Sequence, residues 1–354
     1  MSPRTPLALA LTALLAACGQ AGASDDGGAP GQDPTEAAAA APTTAFTPEM
    51  REFRDWRAVC DNLGRCAAYG AEGINGGGWV MVTRDAGADA AVQVRAGLPM
   101  WEEDAPAPQL ALDGRTVDLD EEDGLTLARA LSQGQALTLG EGDETAAVSL
   151  SGTAAALLWI DEKQGRIGTP TAFMRPGDRD AGTIPGPAAP VRVARAAAAS
   201  QAGLPDGDVH LPAALERLPE VQACAAERMA DMTPMHSLAR LGEGTYLWGV
   251  ECFRGAYNLG QKFWITGEAG ANPRPVDFPT AAGEPVRELV NAAFDPESAT
   301  LDAFARGRGM GDCGIIQHWA WTGERFVLTL QRSMDECAGM TPDLWPTLYR
   351  SQDQ

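Results

Sequence analysis

Short apolar runs separated by Gly and Asn clusters mark the first part of the chain. Residues 56–60, 79–82 and 91–94 have the length and the β-branched and aromatic content of strands. An Asp-Gly pair at 113–114 follows a further apolar run at 110–112 and predicts a hairpin. The pattern therefore predicts short antiparallel strands at the start of the fold.

The period of the apolar positions then lengthens to that of helices. Leu125, Ala128 and Leu131 share one face of a helix that begins near Asp123. A second, Ala- and Leu-rich helix is predicted for residues 151–164, because a glycine follows at a position where helices commonly end.

The second half predicts one helix, over residues 212–229, and then an antiparallel meander. Its strands are expected at 246–250, 262–265, 289–292, 301–304, 315–321 and 325–330. The fold class is α+β, with two domains that are each mainly antiparallel sheet with one or two packed helices. The expected domains are residues 47–177 and 206–350, joined by a Pro- and Ala-rich linker at 178–205.

The amino-terminal residues are typical of an export signal followed by a lipid-attachment site. A short apolar stretch, too short to span hydrocarbon, ends in Leu-Ala-Ala-Cys at residues 15–18. This string resembles the lipobox of bacterial lipoproteins, which implies removal of residues 1–17 and a lipid on the sulfur of Cys18. Cleavage after Ala-Gly-Ala at 21–23 is the alternative and would discard Cys18. Residues 18–46 then form a flexible tether, since they hold almost nothing to bury.

Exported chains meet conditions in which disulfides form, and six cysteines remain after Cys18. Sequence alone does not determine their connectivity, but pairing of nearest neighbours is favoured because each pair brackets a plausible turn. The pairs would be Cys60–Cys66, Cys224–Cys252 and Cys313–Cys337. A metal site is disfavoured, because no C-x-x-C spacing occurs and no histidine lies beside a cysteine pair.

Charge and motifs narrow the classes of function. A net charge of −21 argues against nucleic acid as a partner and against any membrane contact other than the lipid. G-x-S-x-G, H-E-x-x-H and S-x-x-K motifs are absent, and paired cysteines supply no thiolate. The chain therefore leans away from an enzyme, and no cofactor or metal is expected.

A glycine-rich segment at 309–314 matches G-x-G-x-x-G, but a strand rather than a helix follows, which disfavours a nucleotide site. Arg306 and Arg308 beside its backbone N–H groups could instead hold an anion, and Asp312 lies within the same segment. Tyr257 and Asn258 form a second candidate contact, although such strings are more often turns.

Aromatic and acidic residues offer further candidates. Trp319 and Trp321 would project from one face of a strand, either as a platform for a glycan or peptide or as a core face. Residues 118–124 fail the spacing of a calcium loop and are expected to be an acidic turn before a helix. Asp161 and Glu162 could act as acid and base, but a solvated helix end is favoured.

Several strings carry a family resemblance: DWRAVCD at 55–61, LLWIDEKQGRIGT at 157–169, CFRGAYN at 252–258, GRGMGDCG at 307–314, and CAG at 337–339 ahead of Trp-Pro at 345–346. Together they resemble exported bacterial six-cysteine proteins catalogued as domain of unknown function family 1176. The resemblance spans residues 53–349 and implies an envelope protein, but it transfers no activity. The first domain is also weakly similar to the invasion-associated locus B domain.

These observations favour a lipid-anchored protein of the bacterial cell envelope that faces the periplasm. Gly19 rather than Asp follows Cys18, which favours the outer membrane. The expected role is a binding or structural module for an envelope protein, peptide or glycan. A hydrolase acting on an envelope polymer and an inhibitor of lysozyme-like or proteolytic enzymes are the alternatives.

Overall fold

The computed structural model describes residues 46–72, 77–99, 108–140, 145–205, 207–228 and 231–353. Cys18 and the segment before Phe46 lie outside the described residues. The first sheet, sheet 1, is an antiparallel meander in chain order. Its strands are β1 Glu49–Phe53, β2 Trp56–Cys60, β3 Cys66–Ala71, β4 Trp79–Arg84 and β5 Val92–Gly97.

A small second sheet and two helices cover one face of sheet 1. The sheet has the order β7-β6-β8-β9, with β6 Leu110–Leu112, β7 Arg115–Val117, β8 Leu137–Leu139 and β9 Ala146–Val148. The helices are α1 Gly124–Gln133 and α2 Thr153–Lys163. Asp123 caps α1 by accepting a hydrogen bond from the Thr126 amide, so the acidic turn before this helix acts as its cap. Trp56, Leu127 and Leu157 are buried together between these layers.

Within its described residues, the second half contains two five-stranded antiparallel sheets and two short helices. The helices are α3 Ala213–Glu216 and α4 Pro219–Glu227, after the short strand β10 Arg192–Val193. The remaining strands are β11 Ser237–Gly242, β12 Thr245–Arg254, β13 Leu259–Thr266, β14 Arg274–Pro275, β15 Glu288–Val290, β16 Ala293–Asp295, β17 Thr300–Arg306, β18 Gly314–Trp321, β19 Phe326–Met334, β20 Thr347–Arg350 and β21 Gln352–Asp353. Three 3₁₀ turns occupy Ala181–Thr183, Glu268–Gly270 and Pro342–Leu344.

One sheet has the order β11-β12-β13-β14, with β15 also paired to β13, and the other runs β16-β17-β18-β19-β20. The single helix predicted over 212–229 is wrong. Leu218 is extended because it precedes Pro219, and the proline then begins α4 as a separate helix.

The α+β class is confirmed, and the three disulfides pair nearest neighbours as predicted. Each crosslink joins two elements or closes a turn: Cys60–Cys66 closes the β2–β3 hairpin, Cys224–Cys252 ties α4 to β12, and Cys313–Cys337 joins the segments before β18 and after β19. Among the described helices, none has the length and hydropathy needed to cross a membrane.

The second face of sheet 1 is also buried. Tyr69 and Met81 pack there against Met340, Trp345 and Leu348 from the end of the chain. Residues from both predicted domains therefore share one apolar cluster. The division into domains at 178–205 stays a prediction.

Candidate functional site

The predicted turn at Tyr257–Asn258 and the glycine-rich segment lie side by side. The Asn258 amide donates to the Arg306 carbonyl at 2.9 Å, and its Oδ1 accepts from Asn291 at 2.9 Å. The Tyr257 hydroxyl lies 3.4 Å from the Gly307 carbonyl oxygen. These hydrogen bonds hold the turn between β12 and β13 against the segment that connects β17 to β18.

The charged residues of the glycine-rich segment, Arg308 and Asp312, also have their hydrogen-bond partners within the chain. Both Asp312 oxygens accept hydrogen bonds from the Arg308 guanidinium, and Oδ2 also accepts from the Gly339 amide at 2.7 Å. Desolvation of the fully buried Asp312 opposes its ionisation, but these hydrogen bonds outweigh it and lower the pKa of the carboxyl. The Arg308 guanidinium is therefore used internally, and exposed Arg306 lies over the Phe304 ring instead.

Asp312, Cys313 and Cys337 bring three potential ligand atoms within 4.8 Å of one another. Both sulfurs belong to the same disulfide, so neither is a thiolate that could bind a metal ion.

Trp319 and Trp321 do not form a binding platform. They are 0% and 2% exposed, and they pack in the core with Phe278, Phe326 and Leu328. The Trp319 indole N–H donates to the Pro279 carbonyl at 2.7 Å. The interpretation as a core face is confirmed, and the proposal of an aromatic platform is wrong.

The segment after α2 is buried rather than solvated, which corrects the sequence-based expectation. Arg166 is 0% exposed and donates to Gln164 and to the Asp85 and Gly87 carbonyls. Burial lowers the pKa of Arg166 to about 10.

Asp161 lies in the same buried region and accepts hydrogen bonds from the Phe173 and Met174 amides, both at 2.8 Å. Burial raises the pKa of its carboxyl, although these amides partly oppose the change. Glu162 is exposed, so the two carboxyls of the acid–base hypothesis do not share a site.

We define the arginine cleft as the cavity of about 240 Å³ between the second face of sheet 1 and the strands β19 and β20. Four arginines and one carboxylate line it, in a chain with a net charge of −21. The charged lining residues are Arg65, Arg95, Arg332, Arg350 and Asp343. Trp79, Met81, Leu344 and Trp345 contribute the main apolar walls.

Two of the four guanidiniums lie close to carboxylates of this chain. Arg350 Nε lies 2.7 Å from Asp61 Oδ2, outside the angles of a hydrogen bond, and Arg65 lies 3.7 Å from Asp85. Asp61 Oδ1 accepts from the Leu63 and Arg65 amides, which shapes the turn closed by the first disulfide. Burial raises the pKa of Asp61, and the charge of Arg350 opposes this change.

The Asn62 side chain links the backbone of Arg350 to the turn between β2 and β3. Its side-chain amide donates to the Arg350 carbonyl at 3.0 Å, and its Oδ1 accepts from the Arg350 amide at 2.9 Å. The β2–β3 hairpin and β20 are thereby fixed to each other, so this wall of the cleft is organised without a ligand.

The other two guanidiniums are less neutralised. Arg332 donates through one terminal nitrogen to the Pro342 and Asp343 carbonyls, while its buried Nε has no hydrogen-bond partner. Arg95 is exposed on β5, and no carboxylate within 4 Å is found for it or for Arg332 among the residues that the structure describes. Trp79, 6% exposed, also has a buried indole N–H without a partner.

Guanidinium groups without a carboxylate partner on a cavity wall suit a bound anion, since its oxygens can accept charge-assisted hydrogen bonds. Apolar walls beside them would hold a small organic body. Sequence reasoning missed these residues because they come from β4, β5, β19, β20 and the β2–β3 turn. No short motif joins them, and only the packing of sheet 1 on β19 and β20 brings them together.

Comparison with known proteins identifies the family. The family model described as a protein of unknown function (DUF1176) matches residues 50–352. The Uncharacterized protein YpfG of Escherichia coli (strain K12) is 31% identical over 335 residues, which cover 85% of this chain and 93% of that protein. No solved structure matches the chain. The chain therefore belongs to the DUF1176 family of proteins of unknown function, as its motifs predict.

Proposed function

We propose that this chain is a binding protein of the bacterial cell envelope that holds an anionic group of its ligand in the arginine cleft. The observation that carries the proposal is the pair of guanidiniums of Arg95 and Arg332, which line the cavity and have no carboxylate within 4 Å among the described residues. Charge-assisted hydrogen bonds from a guanidinium to an anion contribute roughly 1.5–3 kcal/mol each, so these two side chains favour an anionic group in the cavity.

The electrostatic setting favours a specific site over a general attraction. An acidic surface repels anions at long range, and only a local concentration of guanidinium groups reverses this effect. Arg332 and Arg95 supply charge to the cleft, while Trp79 and Trp345 border it with apolar surface. Such a lining selects a carboxylate or phosphate attached to a small organic group.

The envelope setting rests on the amino terminus and the disulfides. The lipobox-like residues 15–18 and the tether of residues 18–46 support export and a lipid on Cys18, with the outer membrane as the favoured location. Three disulfides in the folded part fit an oxidising compartment. The anchor would keep the cleft near an envelope component that carries the anion.

Calorimetric titration of the mature protein with succinate and with inorganic phosphate tests the cleft. The wild type should bind at least one of these anions, and Arg332→Gln should weaken binding about tenfold or more because a charge-assisted contact is lost. Arg325→Gln is the matched control, since Arg325 is exposed and outside the cleft. Absence of binding by both anions, or equal binding by the Arg332→Gln variant, would refute the proposal.

Fractionation of cells tests the anchor. The wild type should sediment with outer membranes and incorporate labelled lipid, whereas Cys18→Ser should do neither. A mature amino terminus at residue 24 in natively purified protein would contradict lipidation at Cys18.

A further inference from the structure

A second groove lies next to the arginine cleft, along the outer edge of sheet 1. It has a volume of about 580 Å³ and shares Trp79, Arg95 and Leu344 with the cleft. The two cavities therefore lie next to each other, with these three residues at their common boundary.

The lining of this groove shows that it follows the edge of β5. Five consecutive residues, Val92 to Ala96, all line it. Side chains of a strand alternate between the two faces of its sheet, so a groove that meets five in a row lies beside the strand and not over one face. Among the described residues, no strand pairs with β5 on the side away from β4.

Apolar side chains and the carboxylates of Asp120 and Glu122 flank the groove beside that edge. Leu119 and Leu127 lie on the side of α1, and Leu344 lies on the side of the cleft. Gly124 packs so closely against the Val92 carbonyl that a Cβ would come within 2.1 Å of the oxygen. The groove is thus bounded beside α1 and adjoins the cleft at Arg95 and Trp79.

We infer that the ligand is an extended peptide that adds to β5 as a further strand and places its terminal carboxylate in the arginine cleft. This inference rests on the proposed function, which requires only an anion in the cleft. An edge strand offers backbone N–H and C=O groups that a peptide backbone satisfies, and side-chain pockets beside it give selectivity.

The chemistry of the two cavities favours a peptide over other anionic ligands. A free inorganic ion would fill the cleft but leave the β5 edge unused, and a lipid chain would not satisfy backbone hydrogen-bonding groups. At about 3.3 Å per residue, the five residues of β5 that line the groove match a peptide segment of about five residues.

The test uses the mature full chain and the peptide Ala-Val-Thr-Val-Ala with a fluorescein label at its amino end. Binding is followed by fluorescence anisotropy for the free acid and for the C-terminal amide. The acid should bind about tenfold or more tightly than the amide, because only the acid offers a carboxylate to the guanidiniums. Arg332→Gln, and independently Arg95→Gln, should reduce this preference, whereas Arg325→Gln should keep it.

Backbone methylation tests strand addition. Two acid peptides carry N-methyl groups on either the odd or the even residues, so that each set removes the N–H groups on one edge of the bound strand. One set should lose binding at least tenfold and the other should bind nearly as the parent does, because only one edge of the peptide faces β5.

Other outcomes separate the two proposals. Equal binding of acid and amide, or equal tolerance of both methylation patterns, would overturn the peptide inference. Binding of succinate or phosphate without any peptide binding, or binding of anionic lipid vesicles alone, would also overturn it while leaving an anion-binding cleft. Failure of peptides and of both small anions would overturn both proposals.

Discussion

Two groups of arginines in this protein differ in how completely they are satisfied. We call Arg84 and Arg166 the arginine core, and we compare them with Arg95 and Arg332 of the arginine cleft. Arg166 is fully buried, and three of its nitrogens donate hydrogen bonds to oxygens within the chain. Arg332 is partly buried, lines a cavity and keeps an unpartnered Nε.

The comparison separates arginines with a structural role from those proposed to bind a ligand, by their hydrogen bonds. Arg84 donates to the Ala90 and Thr171 carbonyls and lies over the Phe173 ring, so its burial is also compensated inside the fold. A satisfied buried guanidinium stabilises one arrangement of loops. A guanidinium that lines a cavity and has no carboxylate partner can instead donate charge-assisted hydrogen bonds to an anion.

The largest expected effect comes from the arginine core. Arg166→Met should lower the free energy of unfolding by roughly 3–5 kcal/mol, because it leaves buried oxygens of Gln164, Asp85 and Gly87 without their donor. Urea unfolding followed by circular dichroism measures this change. The variant Arg332→Gln should lower the free energy of unfolding less, by roughly 1–2 kcal/mol, because it loses only the hydrogen bonds to the Pro342 and Asp343 carbonyls. If both variants lowered the free energy of unfolding equally, the distinction between the arginine core and the arginine cleft would be wrong.

Arg308 belongs with the structural arginines by the same criterion. Arg308→Gln should lower the free energy of unfolding by roughly 2–4 kcal/mol, because the buried Asp312 carboxylate loses its cation. The lowered pKa of Asp312 stabilises the wild type above about pH 4, and this contribution disappears as pH falls through the folded-state pKa. The variant should lose that part of the acid dependence, which unfolding at several pH values would detect.

Arg306→Gln is the control for this loop, since the Arg306 side chain is exposed with its guanidinium over the Phe304 ring, and its hydrogen bonds with Asn258 use only the backbone. Its free energy of unfolding should stay within about 0.5 kcal/mol of the wild type. A loss as large as that of Arg308→Gln would show that charge at the surface, and not the buried pair, stabilises the loop.

Much of the secondary structure could be predicted from local patterns. The helix at α1 follows from its 3.6-residue period and Asp123 cap, and the strands at β2 and β4 follow from β-branched and aromatic residues. The strand β3 was missed because Cys66-Ala-Ala-Tyr-Gly-Ala is rich in small residues. Its strand character comes from pairing with β2 and β4 on both sides, which is a tertiary effect.

The sites were harder to predict because residue type does not reveal burial. The polar run after α2 suggested a solvated surface, but Asp161, Gln164 and Arg166 find partners across the fold and become buried. The arginine cleft depends on how sheet 1 packs against β19 and β20. Local patterns carry no information about that packing.

Loss of the negative charge on Asp61 is expected to strengthen the binding of anions in the arginine cleft. Burial raises the pKa of Asp61 above its usual value, so it is neutral at low pH and ionises only above that raised pKa. As pH falls through the raised pKa, Arg350 loses the nearer of its two counter-charges, with Asp85 at 3.8 Å the other, and the cleft becomes more positive. Sulfate, which stays charged, should therefore bind several-fold more tightly at acid pH than at neutral pH.

Asp61→Asn should reproduce the acid form at neutral pH, because its Oδ1 can still accept from Leu63 and Arg65 while its charge is gone. Sulfate affinity of this variant should be high and nearly independent of pH. An affinity that falls with the Asn substitution would mean that Asp61 organises the cleft more than it neutralises Arg350.

The smallest expected effect on stability concerns Arg95, which is exposed on β5. Arg95→Gln should leave the free energy of unfolding within about 0.5 kcal/mol of the wild type, because no hydrogen bond or ion pair of its guanidinium is found within the described part of the chain. The same substitution should weaken sulfate binding only a few-fold, since an exposed charge acts through solvent. Added salt should abolish this difference and leave the larger effect of Arg332→Gln, because salt screens exposed charges more strongly than partly buried ones. A loss in Arg95→Gln that persists at high salt would place Arg95 in direct contact with the anion and extend the binding surface from the cleft onto the edge of β5.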